Sequence, residues 1–175
     1  FRPCDDKEVF ASYKIALEST KSPSCIILSR QNLPILENSS SYEGVKNGAY
    51  IVSKEEKEPD IVLIGTGSEV SLCLEAKELL KDELDIRVVS MPCFELFDST
   101  SKEYKESVLT KFYNRRISVE MASTFGWGKY ARFNFGIDRF GASGKASDVV
   151  KKYHFTANDL KEYILSCVKE LKEEN

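Results

Sequence analysis

The clearest pattern in the chain lies at its end. Leu160, Tyr163, Ile164, Cys167, Val168 and Leu171 fall on one helical face, opposite lysines and glutamates, which predicts a docked amphipathic helix. Thr156 and Asp159 supply a capping box at its start. Near the other end, residues 5–19 carry helix formers with apolar positions at Val9, Tyr13 and Ala16/Leu17, and the breaker-rich Ser-Thr-Lys-Ser-Pro follows. Short apolar runs between these helices predict strands at Cys25–Ser29, Tyr50–Ser53, Ile61–Ile64, Ile86–Met91 and Ile117–Glu120, and residues 127–138 read as helix passing into strand. Residues 92–102 read as irregular, and "ESVLTKFY" at 106–113 as a short helix.

The order of these elements fixes the class. From Ile61 onward strand, helix and strand alternate, which predicts α/β architecture with right-handed parallel β-α-β units. Before it stands a helix followed by a strand with no strand ahead of them, the remnant of a second α/β domain. Residues 35–49 are polar, rich in serine and glycine and aperiodic, so a domain boundary is expected there. The sequence opens on Phe1-Arg2-Pro3 and reads as a piece of a longer chain.

Composition narrows the partners. The 175 residues carry a net charge of −3, with acids and bases interspersed, which argues against a nucleic-acid or anionic-membrane surface. No apolar run reaches the length of a membrane span. Cys4, Cys25, Cys73, Cys93 and Cys167 are scattered and include no C-x-x-C pair, so they read as reduced thiols of an intracellular protein rather than a zinc site or disulfide framework.

Candidate chemistry is sparse. Gly65-Thr-Gly-Ser-Glu-Val70 begins like a dinucleotide fingerprint, but Val70 stands where the third glycine belongs; it reads as a tight turn opening a helix, with Thr66 and Glu69 as a capping box, or as an anion site on the helix-start amides. Gly141-Ala-Ser-Gly-Lys145 fits neither a phosphate loop nor a hydrolase elbow and reads as a turn. His154, the sole histidine, reads as a solvated loop residue, and Trp127, Tyr130, Phe133 and Phe135 as core or interface. Glu120, at a strand's carboxyl end, faces a cleft or an interface, or reads as a rim carboxylate or a cap on the next turn. Arg30 ends the apolar run "IILSR", where its planar fork suits phosphate or carboxylate oxygens as well as a surface ion pair.

Five stretches, "RPCDDKE" at the start, "LSRQNLP" at 28–34, "DIVLIGTGSEVSL" at 60–72, "IRVVSMP" at 86–92 and "WGKYARFNFGIDRFGASGKA" at 127–146, together resemble the transketolase family in order and over essentially the whole chain. The resemblance implies the end of a pyrimidine-binding domain at 1–36, a linker at 37–49 and a C-terminal domain at 50–175 with a mostly parallel five-stranded sheet flanked by helices. It implies a parent enzyme, a cytoplasmic homodimer of the pentose phosphate pathway, that moves a two-carbon ketol unit between sugar phosphates with thiamine diphosphate and a divalent metal, Mg2+ or Ca2+. The cofactor, metal and catalytic residues of the family lie upstream of the matched stretches, so this chain is expected to bind none of these groups and to be inactive alone. The one site residue that carries over is Arg30, for the substrate phosphate. Cys4 and His154 depart from the usual alanine and glycine. A related thiamine enzyme such as dihydroxyacetone synthase, or a regulatory or dimerisation module with an anion site at "GTGSE", are the alternatives.

Overall fold

The computed structural model describes residues 1–40 and 42–174; Ser41, inside the polar tract, and Asn175 lie outside the described residues. Five strands, β1 (Tyr50–Ser53), β2 (Ile61–Gly65), β3 (Ile86–Ser90), β4 (Arg116–Glu120) and β5 (Phe133–Gly136), form one sheet in the order β1-β3-β2-β4-β5. All neighbours are parallel except β1 and β3. β2 and β3 are buried along their whole length, as apolar strands covered on both faces must be.

Two helical layers supply the cover. On one face α3 (Glu69–Leu79) and α7 (Ala157–Glu173) pack Cys73, Ala76, Leu160, Ile164 and Cys167 against Ile61, Leu63, Val88 and Ile117. Fully burying one such leucine or isoleucine contributes about 1.5–3 kcal/mol, so the terminal stripe alone fixes α7. Its capping box forms as expected: Thr156 Oγ1 accepts from the Asp159 amide at 3.2 Å, and the Thr156 amide donates to Asp159 at 3.0 Å. On the other face α4 (Phe94–Ser99) and α5 (Lys102–Leu109) bring Phe97, Val108 and Leu109 against Val62, Ile64 and Val89, with Trp127 and Tyr130. α6 (Ala146–Lys152) packs its Val150 on the α3 and α7 face instead.

Several expectations are corrected here. Residues 92–102 are not irregular: Phe97 inserts into the core and pulls α4 into a helix. The helix read at 106–113 starts earlier, at Lys102, because Ser101 caps it, and it ends at Thr110, whose φ of 62° stops further winding. The strand expected at Cys25–Ser29 does not form. Phe1 gives it two backbone hydrogen bonds, with the Cys25 carbonyl and the Ile27 amide, but no further ladder forms among the described residues, and Ile27 and Leu28 stay half exposed.

The polar tract 35–49 includes a short helix, α2 (Glu43–Lys46), and its Val45 and Ala49 are buried. Gly48 has a φ of 77°, and a Cβ there would lie 2.2 Å from the Phe97 amide nitrogen, so only glycine admits this crossing. α1 (Asp6–Glu18) docks beside β1 through Ala11, Val45, Tyr50 and Val52. The face it buries is not its apolar stripe. Glu8, Ala11 and Ser12 point inward, whereas Phe10, Tyr13 and Leu17 face solvent. Polar bonds set this rotation: Glu8 accepts from the Cys4 amide at 2.7 Å, the Tyr50 hydroxyl at 2.8 Å and the Ser90 hydroxyl at 2.6 Å.

Candidate functional site

An open α/β sheet offers a ligand crevice where the chain reverses its direction across the sheet, outside the carboxyl ends of adjacent strands. Here the strand order places that reversal between β2 and β4, since β3 and β1 lie to one side and β5 to the other. The residues leaving these two strands are Gly65-Thr66-Gly67-Ser68-Glu69 and Glu120-Met121.

Arg2 fills this crevice. Its guanidinium donates to Glu69 Oε2 at 3.0 Å and, through its other terminal nitrogen, to Glu120 Oε1. Its carbonyl accepts from Thr66 Oγ1 at 3.0 Å and from the Gly67 amide at 3.1 Å, while its own amide donates to the Pro92 carbonyl at 2.9 Å. Gly67 turns at a φ of 59° directly under the arginine, where an L side chain would be strained and a Cβ would sit 3.3 Å from Arg2 Nε. The Glu69 side chain is fully buried; burial pushes its carboxyl up, Arg2 acts in the opposite sense, and Glu120 adds to the rise.

Two sequence readings change accordingly. Glu120 does face a cleft, but it is spent on Arg2. The capping box expected from Thr66 and Glu69 is absent: Ser68 is the N-cap residue of α3 and gives no side-chain cap, because the Thr66 hydroxyl and Glu69 carboxylate both serve Arg2. An anion at this helix start would find the Gly67 amide taken and the Glu69 carboxylate beside it. No local pattern around Arg2 marks it as a site residue. The readable signal was two acids, Glu69 and Glu120, each just past an apolar strand and therefore in need of one cation.

Arg30 lies outside the crevice. It is exposed and has no hydrogen-bond or ion-pair partner among the described residues. Ser29 Oγ donates to the Gln31 carbonyl at 2.9 Å, closing a bend around it. Ser29 and Gln31 share with Arg2, Gly67 and Met121 the wall of a cavity of about 230 Å³. The segment is tied down through Phe1, whose nitrogen donates to the Cys25 carbonyl at 2.6 Å and whose carbonyl accepts from the Ile27 amide at 2.8 Å.

A larger hollow of about 840 Å³ opens past β4 and β5, walled by Met121, Ile137, Val150 and Phe155. Its charged side chains already have partners: Asp138 accepts from Ser123 and Thr124 at 2.9 and 2.7 Å, and Arg139 lies 4.6 Å from the centre of the Tyr153 ring. His154 is exposed, and Trp127, Tyr130 and Phe133 are buried. No three His, Cys, Asp or Glu side chains are grouped to hold a metal among the described residues.

Fold and site together define a doubly wound α/β domain whose ligand crevice is closed by an arginine from the segment preceding it. Comparison with known proteins names the lineage. Residues 48–156 match the family described as the transketolase-like C-terminal domain. The chain is 45% identical to a Bacillus subtilis transketolase over 162 residues, 89% of this chain and 24% of that protein, and 48% identical to the chloroplastic transketolase-1 of Arabidopsis thaliana, covering 89% and 22%. It superposes on a Pichia stipitis transketolase solved in complex with sedoheptulose-7-phosphate with a TM-score of 0.93 at 44% identity, over 99% of this chain and 25% of that one. The chain belongs to the transketolase family, and it spans about a quarter of the length of these relatives.

Proposed function

We propose that this chain serves as the substrate-phosphate arm and C-terminal domain of a transketolase, a transferase that moves a two-carbon ketol unit from a ketose phosphate to an aldose phosphate in the pentose phosphate pathway. Residues 1–36 would end the pyrimidine-binding domain, 37–49 link it onward, and 50–175 form the C-terminal domain; the family match over 48–156 supports the last of these. Thiamine diphosphate and a divalent metal, Mg2+ or Ca2+, would be held by parts of the enzyme that this chain does not contain, in a homodimer. We place the enzyme in the cytoplasm, as its unpaired thiols favour; none of its described helices is long and apolar enough to cross a membrane.

The observation that carries the reading is Arg30. Its guanidinium is the cation of "LSRQNLP", it is exposed without a partner among the described residues, and a free planar fork is suited to a phosphate. A charge-assisted hydrogen bond contributes roughly 1.5–3 kcal/mol, which corresponds to about a ten- to hundredfold change in affinity. Arg30→Ala in the intact enzyme is therefore expected to raise KM for phosphorylated sugars by that factor and to leave KM for an unphosphorylated donor nearly unchanged. Equal losses for both donors would overturn the assignment. The chain by itself is expected neither to bind thiamine diphosphate nor to turn over substrate, and a stoichiometric micromolar site seen by calorimetry would contradict this.

A further inference from the structure

Arg2 makes five bonds to three neighbouring strand ends. Its side chain reaches Glu69 after β2 and Glu120 at the end of β4; its carbonyl takes the Thr66 hydroxyl and the Gly67 amide; its amide gives to Pro92 after β3. The next residue back, Phe1, makes the backbone hydrogen bonds that hold Cys25–Gln31 to the rest of the described chain, with the Cys25 carbonyl and the Ile27 amide. The continuous physical connection thus runs from Glu69 and Glu120 through Arg2 and Phe1 to Ile27, three residues ahead of Arg30.

We infer that Arg2 is a positioning residue for phosphate recognition: by clamping onto Glu69 and Glu120 it fixes the height and direction of the segment that presents Arg30. The inference rests on the assignment of Arg30 to the substrate phosphate. Arginine suits the task because its planar fork serves two carboxylates from different strands at once, whereas a lysine ammonium is a single point charge on a flexible stem. The acids are not decorative. With Glu69 fully buried and Glu120 nearly so, withdrawal of Arg2 leaves two carboxylates facing each other away from water, and the crevice must rearrange. Arg30 has no hydrogen bond or ion pair among the described residues to correct its position, so a small displacement of the segment is carried straight to its guanidinium. Misplacement of a binding group by about 1 Å is enough to lower its contribution severely.

The test is a set of variants in the intact transketolase, assayed with a ketose phosphate and with the same ketose lacking its phosphate. Arg2→Met is expected to raise KM for the ketose phosphate about three- to tenfold, with kcat within about twofold and KM for the unphosphorylated ketose unchanged. Arg2→Lys should restore part of the loss. In an Arg30→Ala background, Arg2→Met should add nothing to the ratio of the two KM values, because both changes act through the same contact. A fall in kcat shared by both donors, or a full additional effect in the Arg30→Ala background, overturns the inference and makes Arg2 a purely structural clamp. If Arg2→Met does not fold, Glu120→Gln and Arg2→Lys decide instead: each keeps one arm of the clamp, and an unchanged KM ratio in both overturns the inference. Should Arg30→Ala itself leave the ratio unchanged, the phosphate assignment fails rather than the clamp.

Discussion

At the scale of single residues, Glu8 is the most unusual group in the chain. It is completely buried, its partners are the Cys4 amide and the Tyr50 and Ser90 hydroxyls, and no cation is among them. Burial pushes its carboxyl above the ordinary value near 4.5, and the three hydrogen bonds offset this only in part. The folded protein therefore holds this proton more tightly than the unfolded chain does. Its contribution to stability is fully present below about pH 4.5 and is lost as pH rises through the folded value, with a slope of at most about 1.4 kcal/mol per pH unit. Comparing Tm against pH for the protein and for Glu8→Gln checks this: the difference should shrink or reverse as pH rises. Asp138 and Asp159, held low by their threonine and backbone bonds, act in the opposite sense at acid pH but cancel in the comparison. A difference independent of pH would show that Glu8 does not titrate in the folded state. The same residue explains why the apolar positions of α1 are not its inward face. A glutamate at a core position looks like a solvent mark until the hydroxyls of Tyr50 and Ser90, 42 and 82 residues away, are seen to satisfy it.

At the scale of elements, two threonine-led sequences with an acid three residues on gave opposite outcomes. Thr156 and Asp159 form the box at the start of α7, where no outside group competes. Thr66 and Glu69 do not, because Arg2 takes both. Local pattern was sufficient for the first, and a partner 64 residues away decided the second. The consequences of alanine should differ as well. Thr156→Ala is expected to cost about 1 kcal/mol in denaturant unfolding of the whole chain. Thr66→Ala should cost about 0.5–1.5 kcal/mol and act locally, raising hydrogen exchange at the Arg2 and Ile27 amides rather than along α3. Equal loss of protection in α3 would indicate that Thr66 caps the helix after all. The strands of the sheet and α7 were legible because their apolar spacing is met by their own neighbours. The strand expected at Cys25–Ser29 was not, since among the described residues its backbone pairs only with Phe1, and periodicity says nothing about partners.

At the scale of the whole molecule, strongly exposed apolar side chains fall in two places, in the first 35 residues and at Phe125 and Phe140, which are 93% and 98% exposed. Phe10 is 68% exposed, Leu17 84% and Ile35 63%, with Tyr13, Ile27 and Leu28 about half exposed, while the sheet core leaves no such group open along β2 or β3. Phe10, Tyr13 and Leu17 share one face of α1, and an exposed apolar face favours association. The chain on its own is expected to self-associate with rising concentration, and Phe10→Ser with Leu17→Ser to reduce this without lowering Tm by more than surface changes usually do, about 0.5 kcal/mol in stability terms. Sedimentation at increasing concentration checks it, and an unaltered monomer in both forms would show the face to be inert. The charges of the molecule divide in a different way. Arg2, Glu69 and Glu120 meet with little water between them, whereas Arg132 reaches Glu170 and Glu174 across the surface at the far end of α7. Mobile ions screen exposed pairs beyond roughly 8 Å at physiological strength and reach buried ones much less. Concentrated brine should therefore loosen the tail of α7 before it disturbs the join between the first residues and the sheet, so that the two ends of one chain answer the same solvent differently.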